Sequence, residues 1–306
     1  MMTRTFISKI FLTGLLWVSV WSQKVDAQTG FDGDVAMDYL EQQCDFGPRV
    51  PNTPAAQLAI RYFEKLLTES CDTVILQRFD QADPYSEQTL HLVNVVGRLA
   101  PEQTPRIILG AHWDSRPRAD QSLIDPEKPI IGANDGASGV AILLEIARQL
   151  HAKPARIGVD LVLFDGEDWG KEGDINSYLL GSRYYANHAI PPRAEWVIVL
   201  DMVGDADLSI PVEPYSHKQA PEFVRQIWEI ARELGYFQFK PYLGTPVFDD
   251  HIPFVERFYQ AIDIIDFQYP NANENYWHTH EDTPDKCSSE SLEAVGNTVL
   301  TWIYRQ

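Results

Sequence analysis

Runs of apolar residues divide the chain into alternating strands and helices. Short continuous or β-branched runs are typical of strands, and strands buried on both faces of a parallel sheet show little polar alternation. Apolar residues spaced three and four positions apart predict amphipathic helices. The pattern predicts strands at residues 74–79, 90–99, 107–110, 157–164, 196–200 and 261–267, and helices at residues 31–43, 140–150, 223–234 and 292–304.

A further helix is predicted to begin at Asn52 or Thr53, because Pro54 suits the first turn of a helix. Its expected apolar stripe is Leu58, Tyr62, Leu66 and Leu67. The residues of the helix at 140–150 that are expected to face the core are Leu143, Leu144 and Ala147. The strand at 90–99 is expected to lie beside the strand at 107–110.

Strands that alternate with helices predict a three-layer α/β/α sandwich around a largely parallel, or mixed, central sheet. We find no internal repeat and no inter-domain linker, so residues 28–306 are interpreted as one catalytic domain. Residues 1–27 are interpreted as a cleaved signal peptide, because Arg4 and Lys9 precede a short apolar run and Ala27 closes a small-residue cleavage site.

The formal net charge of −19 argues against binding to nucleic acid, which needs a basic face. The signal peptide predicts an exported protein, periplasmic or extracellular, with no stable membrane insertion after cleavage. Three cysteines, Cys44, Cys71 and Cys287, leave room for one disulfide, but buried free cysteine is the default expectation. The oligomeric state is left open.

Acidic and histidine residues follow the predicted strands. His112, the pair Glu167-Asp168 and Asp201 come at or just after the ends of three strands, and Asp135 lies among small residues before a helix. His278 follows the last strand after a loop. Because the carboxyl ends of parallel strands share one edge of a sheet, these side chains are expected to converge. Histidine nitrogen and carboxylate oxygen are zinc ligands, so the sequence predicts a metal site with Asp135 as a ligand.

The remaining polar residues allow more than one role. If Asp168 binds metal, its neighbour Glu167 is free to act as a general base. His112 and Asp114 suit either a second metal or a position behind the ligands, where they would orient a carboxylate. In the segment Asp249-Asp250-His251, the last two residues are candidates for hydrogen bonds to loop backbone alone. Trp277 suits either core packing or the wall of a pocket.

With these residues in place, the chain resembles the zinc aminopeptidase (M28-type) superfamily, and within it the animal-type glutaminyl cyclases and their bacterial relatives. The resemblance extends from about Phe31 to the C-terminus. It rests on seven motifs in this order: GAHWDS, GANDGASG, LFDGEDWG, LLGSRYYA, LDMVGD, DDHIPF and YWHTHEDT.

The resemblance implies one catalytic Zn²⁺ per chain, bound by Asp135, Asp168 and His278. It also implies that Glu167 is the acid/base and that Asp201 and Asp249 form a hydrogen-bond network around the site. Trp277 would line the glutamine pocket, and Trp169 would supply a second wall. The implied activity is conversion of N-terminal glutamine of peptides and proteins to pyroglutamate, with release of ammonia.

A two-zinc M28-type aminopeptidase is the alternative, because His112, Asp135, Glu167, Asp168, Asp201 and His278 would complete a two-zinc site. DDHIPF, and the tryptophan directly before His278, favour the cyclase, since peptidases of this group typically have Ser-Asp-His and Tyr-His there.

Overall fold

The computed structural model describes residues 30–306, so the predicted signal peptide lies outside the described residues. The helices in this part of the chain are α1 Gly33–Asp45, α2 Pro54–Ser70, α3 Gly139–Ala152, α4 Leu180–Asn187, α5 Pro214–Gln219, α6 Pro221–Leu234, α7 Ile252–Val255 and α8 Ser289–Arg305. The strands are β1 Thr73–Ala82, β2 Thr89–Leu99, β3 Arg106–His112, β4 Gly158–Phe164, β5 Trp196–Asp201, β6 Ile210–Val212, β7 Phe239–Leu243, β8 Gln260–Ile265, β9 Pro270–Asn271 and β10 Glu274–Asn275.

Six strands form the central sheet in the order β1-β2-β4-β3-β5-β8. The pairs β4–β3, β3–β5 and β5–β8 are parallel, whereas β1 and β2 form an antiparallel ribbon at one edge. Every residue of β3 and β4 is buried, as expected for parallel strands covered on both faces. The predicted mixed sheet is confirmed.

Helices cover both faces of the sheet. On one face α1, α2, α3, α6 and α8 pack on alternate strand residues such as Leu109 and Leu161. On the other face α4 and α7 pack through Tyr185 and Phe254 on residues that include Phe164. The three-layer α/β/α architecture is therefore as predicted. None of the helices within residues 30–306 combines the length and the apolar character needed to span a bilayer.

The expected pairing of β2 with β3 is wrong, because β4 lies between them. Asp160 of β4 explains this order. Its carboxylate accepts hydrogen bonds from Arg98 of β2, at 2.8 Å, and from Arg106 of β3, at 2.6 and 3.1 Å. All three side chains are buried, and a buried charge is stable only when it is paired. The aspartate thus joins a strand on each side of its own.

The second helix begins as predicted, with Thr53 as its N-cap and Pro54 in the first turn. Its predicted apolar stripe is partly wrong, since Leu58 is 47% exposed. The buried residues of this helix are Ala56, Ala59, Ile60, Phe63 and Leu67. In α3, by contrast, Leu143, Leu144 and Ala147 are buried as expected.

The three cysteines are free thiols, which excludes the disulfide that the sequence left open.

Candidate active site and metal centre

The carboxyl ends of the parallel strands bring the candidate residues together. His112 is the last residue of β3 and Asp201 the last of β5, while Glu167 and Asp168 follow the end of β4. One ligand atom each from Asp135, Asp168 and His278 lies within 4.8 Å of the others, and all three residues are buried. Nε2 of His278 is 3.5 Å from Oδ2 of Asp135 and 3.4 Å from Oδ1 of Asp168.

Asp135 lies in a distorted helical turn, Ala133–Ser138, that precedes α3. The turn is held by Asp282, whose carboxylate accepts hydrogen bonds from the backbone N–H groups of Asn134 (2.8 Å) and Asp135 (3.1 Å). Gly136 adopts a φ of 104°, and a Cβ there would lie 2.7 Å from the carbonyl oxygen of Asp114. Only glycine therefore fits beside this aspartate without strain.

Asp168 is positioned by Asp114 and Arg116, two residues of the loop that follows β3. Asp114 accepts hydrogen bonds from the backbone N–H groups of Glu167 (3.0 Å) and Asp168 (3.3 Å). Arg116 donates to Oδ1 of Asp168 at 2.5 Å. Asp114 thus orients the Glu167-Asp168 segment through its backbone.

Buried oxygen atoms without hydrogen-bond partners indicate that Asp135, Asp168 and His278 can hold a metal ion. Oδ2 of Asp135 and Oδ2 of Asp168 are buried, and neither has a hydrogen-bond partner among the described residues. Burying polar atoms without partners is costly, and a dication would remove that cost. Two carboxylate oxygens and one imidazole nitrogen form a donor set that suits zinc and leaves a fourth position open.

His112 lies among three carboxylates. Its Nε2 is 3.1 Å from Oδ1 of Asp135 and 3.1 Å from Oδ1 of Asp201, and its Nδ1 is 3.6 Å from Oδ1 of Asp114. Burial would lower the pKa of His112, but these three carboxylates raise it well above its usual value. His112, Asp135 and Asp201 also form a second cluster able to hold a metal, which shares Asp135 with the first. Both roles considered for His112 are thus compatible with its position.

Acidic side chains line the cavity beside the three-ligand cluster. Glu167, Asp201 and Asp249 all contribute to its wall. Burial, and then the charge of Asp168, raises the pKa of Glu167 well above its usual range. Burial, and then the charges of Asp201 and Asp250, raises the pKa of Asp249 in the same way. Carboxyl groups with raised pKa values can both accept and donate a proton near neutral pH, which suits acid/base chemistry.

The cavity has a volume of about 570 Å³ and a largely apolar wall. Trp277 forms part of that wall and stacks on the imidazole of His278, with 3.7 Å between the ring centroids. The other apolar residues of the wall are Ile175, Tyr178, Met202, Pro246, Val247, Phe248, Ile265 and Phe267. Trp169, expected to form a second wall, does not line the cavity. Its indole donates to Asp83, and its ring packs on the small cluster of Leu90, Leu92 and Leu180.

Sequence reasoning missed Asp282, Arg116 and Asp120, which contact the site from outside the cavity. Asp282 stands in the motif that carries His278, and its position four residues later was a usable signal. Arg116 and Asp120 belong to a loop whose composition shows only charge and proline. The pattern of such a loop does not reveal which of its charges face the protein interior.

Comparison with known proteins gives consistent results. The model of Peptidase family M28 matches residues 94–303. The glutaminyl cyclase of Tannerella forsythia is 39% identical, with a TM-score of 0.85 over 90% of this chain and 99% of that one. A Zn-dependent exopeptidase from Parabacteroides distasonis is 36% identical, with a TM-score of 0.86 over the same shares. The glutaminyl-peptide cyclotransferase of Boiga irregularis is 26% identical over 74% of this chain and 68% of its own length.

Proposed function

This chain belongs to peptidase family M28, and we propose that it is a glutaminyl-peptide cyclotransferase of that family. Its substrates are peptides and proteins that begin with glutamine, and its products are the pyroglutamyl chain and ammonia. One observation carries this proposal. In a chain 39% identical to a glutaminyl cyclase, one cavity joins the three-ligand cluster, the carboxyl group of Glu167 and the ring of Trp277.

Zinc is the metal that this family and this donor set support, held by Asp135, Asp168 and His278. A zinc ion bound there supplies Lewis-acid polarisation of the side-chain amide carbonyl of the substrate glutamine. Three protein ligands would leave the metal able to bind substrate, and Asp135, Asp168 and His278 all line the cavity.

Glu167 is the proton carrier. In the reaction the α-amine nitrogen of the substrate bonds to the side-chain amide carbon, and the bond from that carbon to the amide nitrogen breaks. The carboxylate of Glu167 takes a proton from the attacking amine and returns it to the departing nitrogen, which leaves as ammonia. The raised pKa of Glu167 matches this double role, because the group must both gain and lose a proton in each cycle.

Asp201 and Asp249 hold the path along which protons reach and leave Glu167. Both residues line the same cavity and both are buried. Trp277 and its neighbours narrow the space around the glutamine side chain. The nucleophile and electrophile belong to one residue, so holding it in a reactive conformation is the main task. An apolar wall also limits the water that would otherwise hydrolyse the amide.

A two-zinc aminopeptidase is the second candidate, favoured by the cluster His112, Asp135 and Asp201 and by the likeness to exopeptidases. In that enzyme Glu167 would deprotonate a water molecule instead of an amine. Metal content separates the candidates. One zinc per chain favours the cyclase and two favour the peptidase.

The direct test is to incubate the purified protein with a glutamine-initiated peptide and a leucine-initiated peptide of otherwise identical sequence. A cyclase releases ammonia from the first peptide and leaves the second intact. Release of free leucine without ammonia would reject the cyclase in favour of the peptidase.

We propose further that residues 1–27 direct the enzyme out of the cytoplasm, to a periplasmic or extracellular location where it meets peptide substrates.

A further inference from the structure

Arg116 and Asp120 connect two of the three proposed zinc ligands from outside the cavity. Arg116 donates to the backbone oxygen of Asp168 at 3.2 Å and to its Oδ1 at 2.5 Å. The same guanidinium binds Asp120 through Nε, at 2.8 Å, and through a second nitrogen. Oδ1 of Asp120 in turn lies 3.5 Å from Nδ1 of His278. The four side chains form one continuous chain of contacts, Asp168–Arg116–Asp120–His278.

We infer that Arg116 and Asp120 are positioning residues that prepare Asp168 and His278 to bind zinc. This inference rests on the proposed zinc centre. Asp120 faces Nδ1 of His278, so that the proton of the neutral imidazole stays on that nitrogen. Nε2, the nitrogen that faces Asp135 and Asp168, is then free to bind the metal. Arg116 donates to Oδ1 of Asp168, the oxygen that lies 3.4 Å from Nε2 of His278, and the buried Oδ2 has no hydrogen-bond partner among the described residues.

The contacts of Asp120 fix the orientation of His278. Among the described residues, Asp120 is the one carboxylate within 4.0 Å of Nδ1 of His278. A metal-binding histidine commonly donates its other ring N–H to a carboxylate, which fixes the tautomer and makes the ligand more basic. The loop also holds the backbone of His278, because the N–H of Gln121 donates to its carbonyl oxygen at 3.2 Å.

Burial and charge support the same assignment. Arg116 is 1% exposed, and besides the two aspartates it binds the hydroxyl group of Tyr178, a residue of the cavity wall. Oδ1 of Asp120 lies 2.8 Å from Nε of Arg116 and 3.5 Å from Nδ1 of His278, so one oxygen atom faces both neighbours.

The test measures zinc affinity of the whole folded protein by competition with a chelator of known affinity. Asp120→Ala should raise the Kd for zinc about 10- to 100-fold, the usual cost of losing such a partner. Asp120→Asn should give a smaller rise, because its amide oxygen can still face Nδ1–H. Glu127→Ala is the matched control, since Glu127 lies in the same loop, is exposed and has no side-chain hydrogen bond or ion pair with another described residue. Its Kd should stay within about twofold of the wild type, as is usual for a substitution at an exposed position.

One reference variant, Asp135→Ala, separates a failure of the proposed zinc centre from a failure of the positioning inference. Asp135→Ala should bind no zinc. If it still does, the proposed zinc centre itself is wrong. If Asp135→Ala loses zinc while Asp120→Ala keeps the wild-type Kd, the centre stands and the positioning inference is overturned.

Thermal unfolding of the metal-free variants separates positioning from mere stability. Weaker zinc binding in a variant whose metal-free melting temperature matches the wild type supports the inference. If Asp120→Ala lowers that temperature, Asp120→Asn decides the matter. A stable Asp120→Asn protein with wild-type zinc affinity would overturn the inference as stated, because the carboxylate charge would then make no contribution to zinc binding by His278.

Discussion

Replacing Glu213 by glutamine should remove a part of the free energy of unfolding that depends on pH. The carboxylate of Glu213 is buried and accepts hydrogen bonds from the backbone N–H groups of Tyr215, Ser216 and Val247. It also lies 3.3 Å from Nε2 of the buried His251. Burial alone would raise the pKa of Glu213, but His251 and the backbone donors lower it to about 2.

The sign and the size of this pH-dependent part of the free energy of unfolding follow from the lowered pKa of Glu213. A carboxyl group with a lowered pKa stabilises the fold above its unfolded pKa, and the stability is lost as pH falls towards the folded pKa. An unfolded pKa of about 4.3 and a folded pKa of about 2 give about 3 kcal/mol at neutral pH. This stabilisation is lost as the pH is lowered from roughly 4.3 to 2, and by pH 3.5 the loss amounts to about 1 kcal/mol.

The assay is denaturant unfolding of the wild type and of Glu213→Gln at pH 6 and at pH 3.5. The difference in free energy of unfolding between the two proteins should be about 1 kcal/mol smaller at the lower pH. Glu87→Gln, at an exposed position, should show no such change and serves as the control. An equal difference at both pH values would refute the reasoning.

Because Glu213 holds both Val247 and His251, which flank Asp249, the variant should also have a lower kcat.

Four further predictions concern the chemistry. Glu167→Gln should lower kcat by about 10²- to 10⁴-fold and keep its zinc, so an active variant in a metal-content and rate assay would exclude Glu167 as the proton carrier. Trp277→Ala should raise KM for glutamine-initiated peptides about 3- to 10-fold, from the loss of aromatic contact, and an unchanged KM would remove it from the pocket wall. Dialysis against a chelator should abolish turnover, and one equivalent of zinc per chain should restore it, whereas a need for two equivalents would favour the peptidase. Finally, cleavage after Ala27 would expose Gln28, and mass spectrometry of the mature protein should show a loss of about 17 Da, the mass of the ammonia that leaves on cyclisation.

The sequence predicted the residues at the strand ends better than the contacts between loops. The apolar runs that became β3, β4 and β5 are buried on both faces, so their composition alone revealed them and their common edge. His112, Glu167 and Asp201 could then be placed at that edge. The position of β2 could not, because it depends on the pairing of Asp160 with two arginines.

Residues that act through packing escaped the sequence for the same reason. Leu58 fits the helical period of α2 with Leu67, but the buried face that contains Leu67 passes through Ala59, Ile60 and Phe63 and leaves Leu58 exposed. Trp169 follows the acidic pair directly, yet its indole points to Asp83. Periodicity reports which side of an element is apolar, but it does not report which partner that side meets.

The three-way pairing of Asp160 limits how this chain can be recombined with its relatives. A chimera that takes the β1–β2 ribbon from another protein brings a new residue to position 98 while Asp160 and Arg106 remain. If that residue is not basic, the aspartate keeps one arginine where it now has two. The ribbon is therefore not an exchangeable module by itself, and successful exchanges should be those in which positions 98, 106 and 160 come from the same parent.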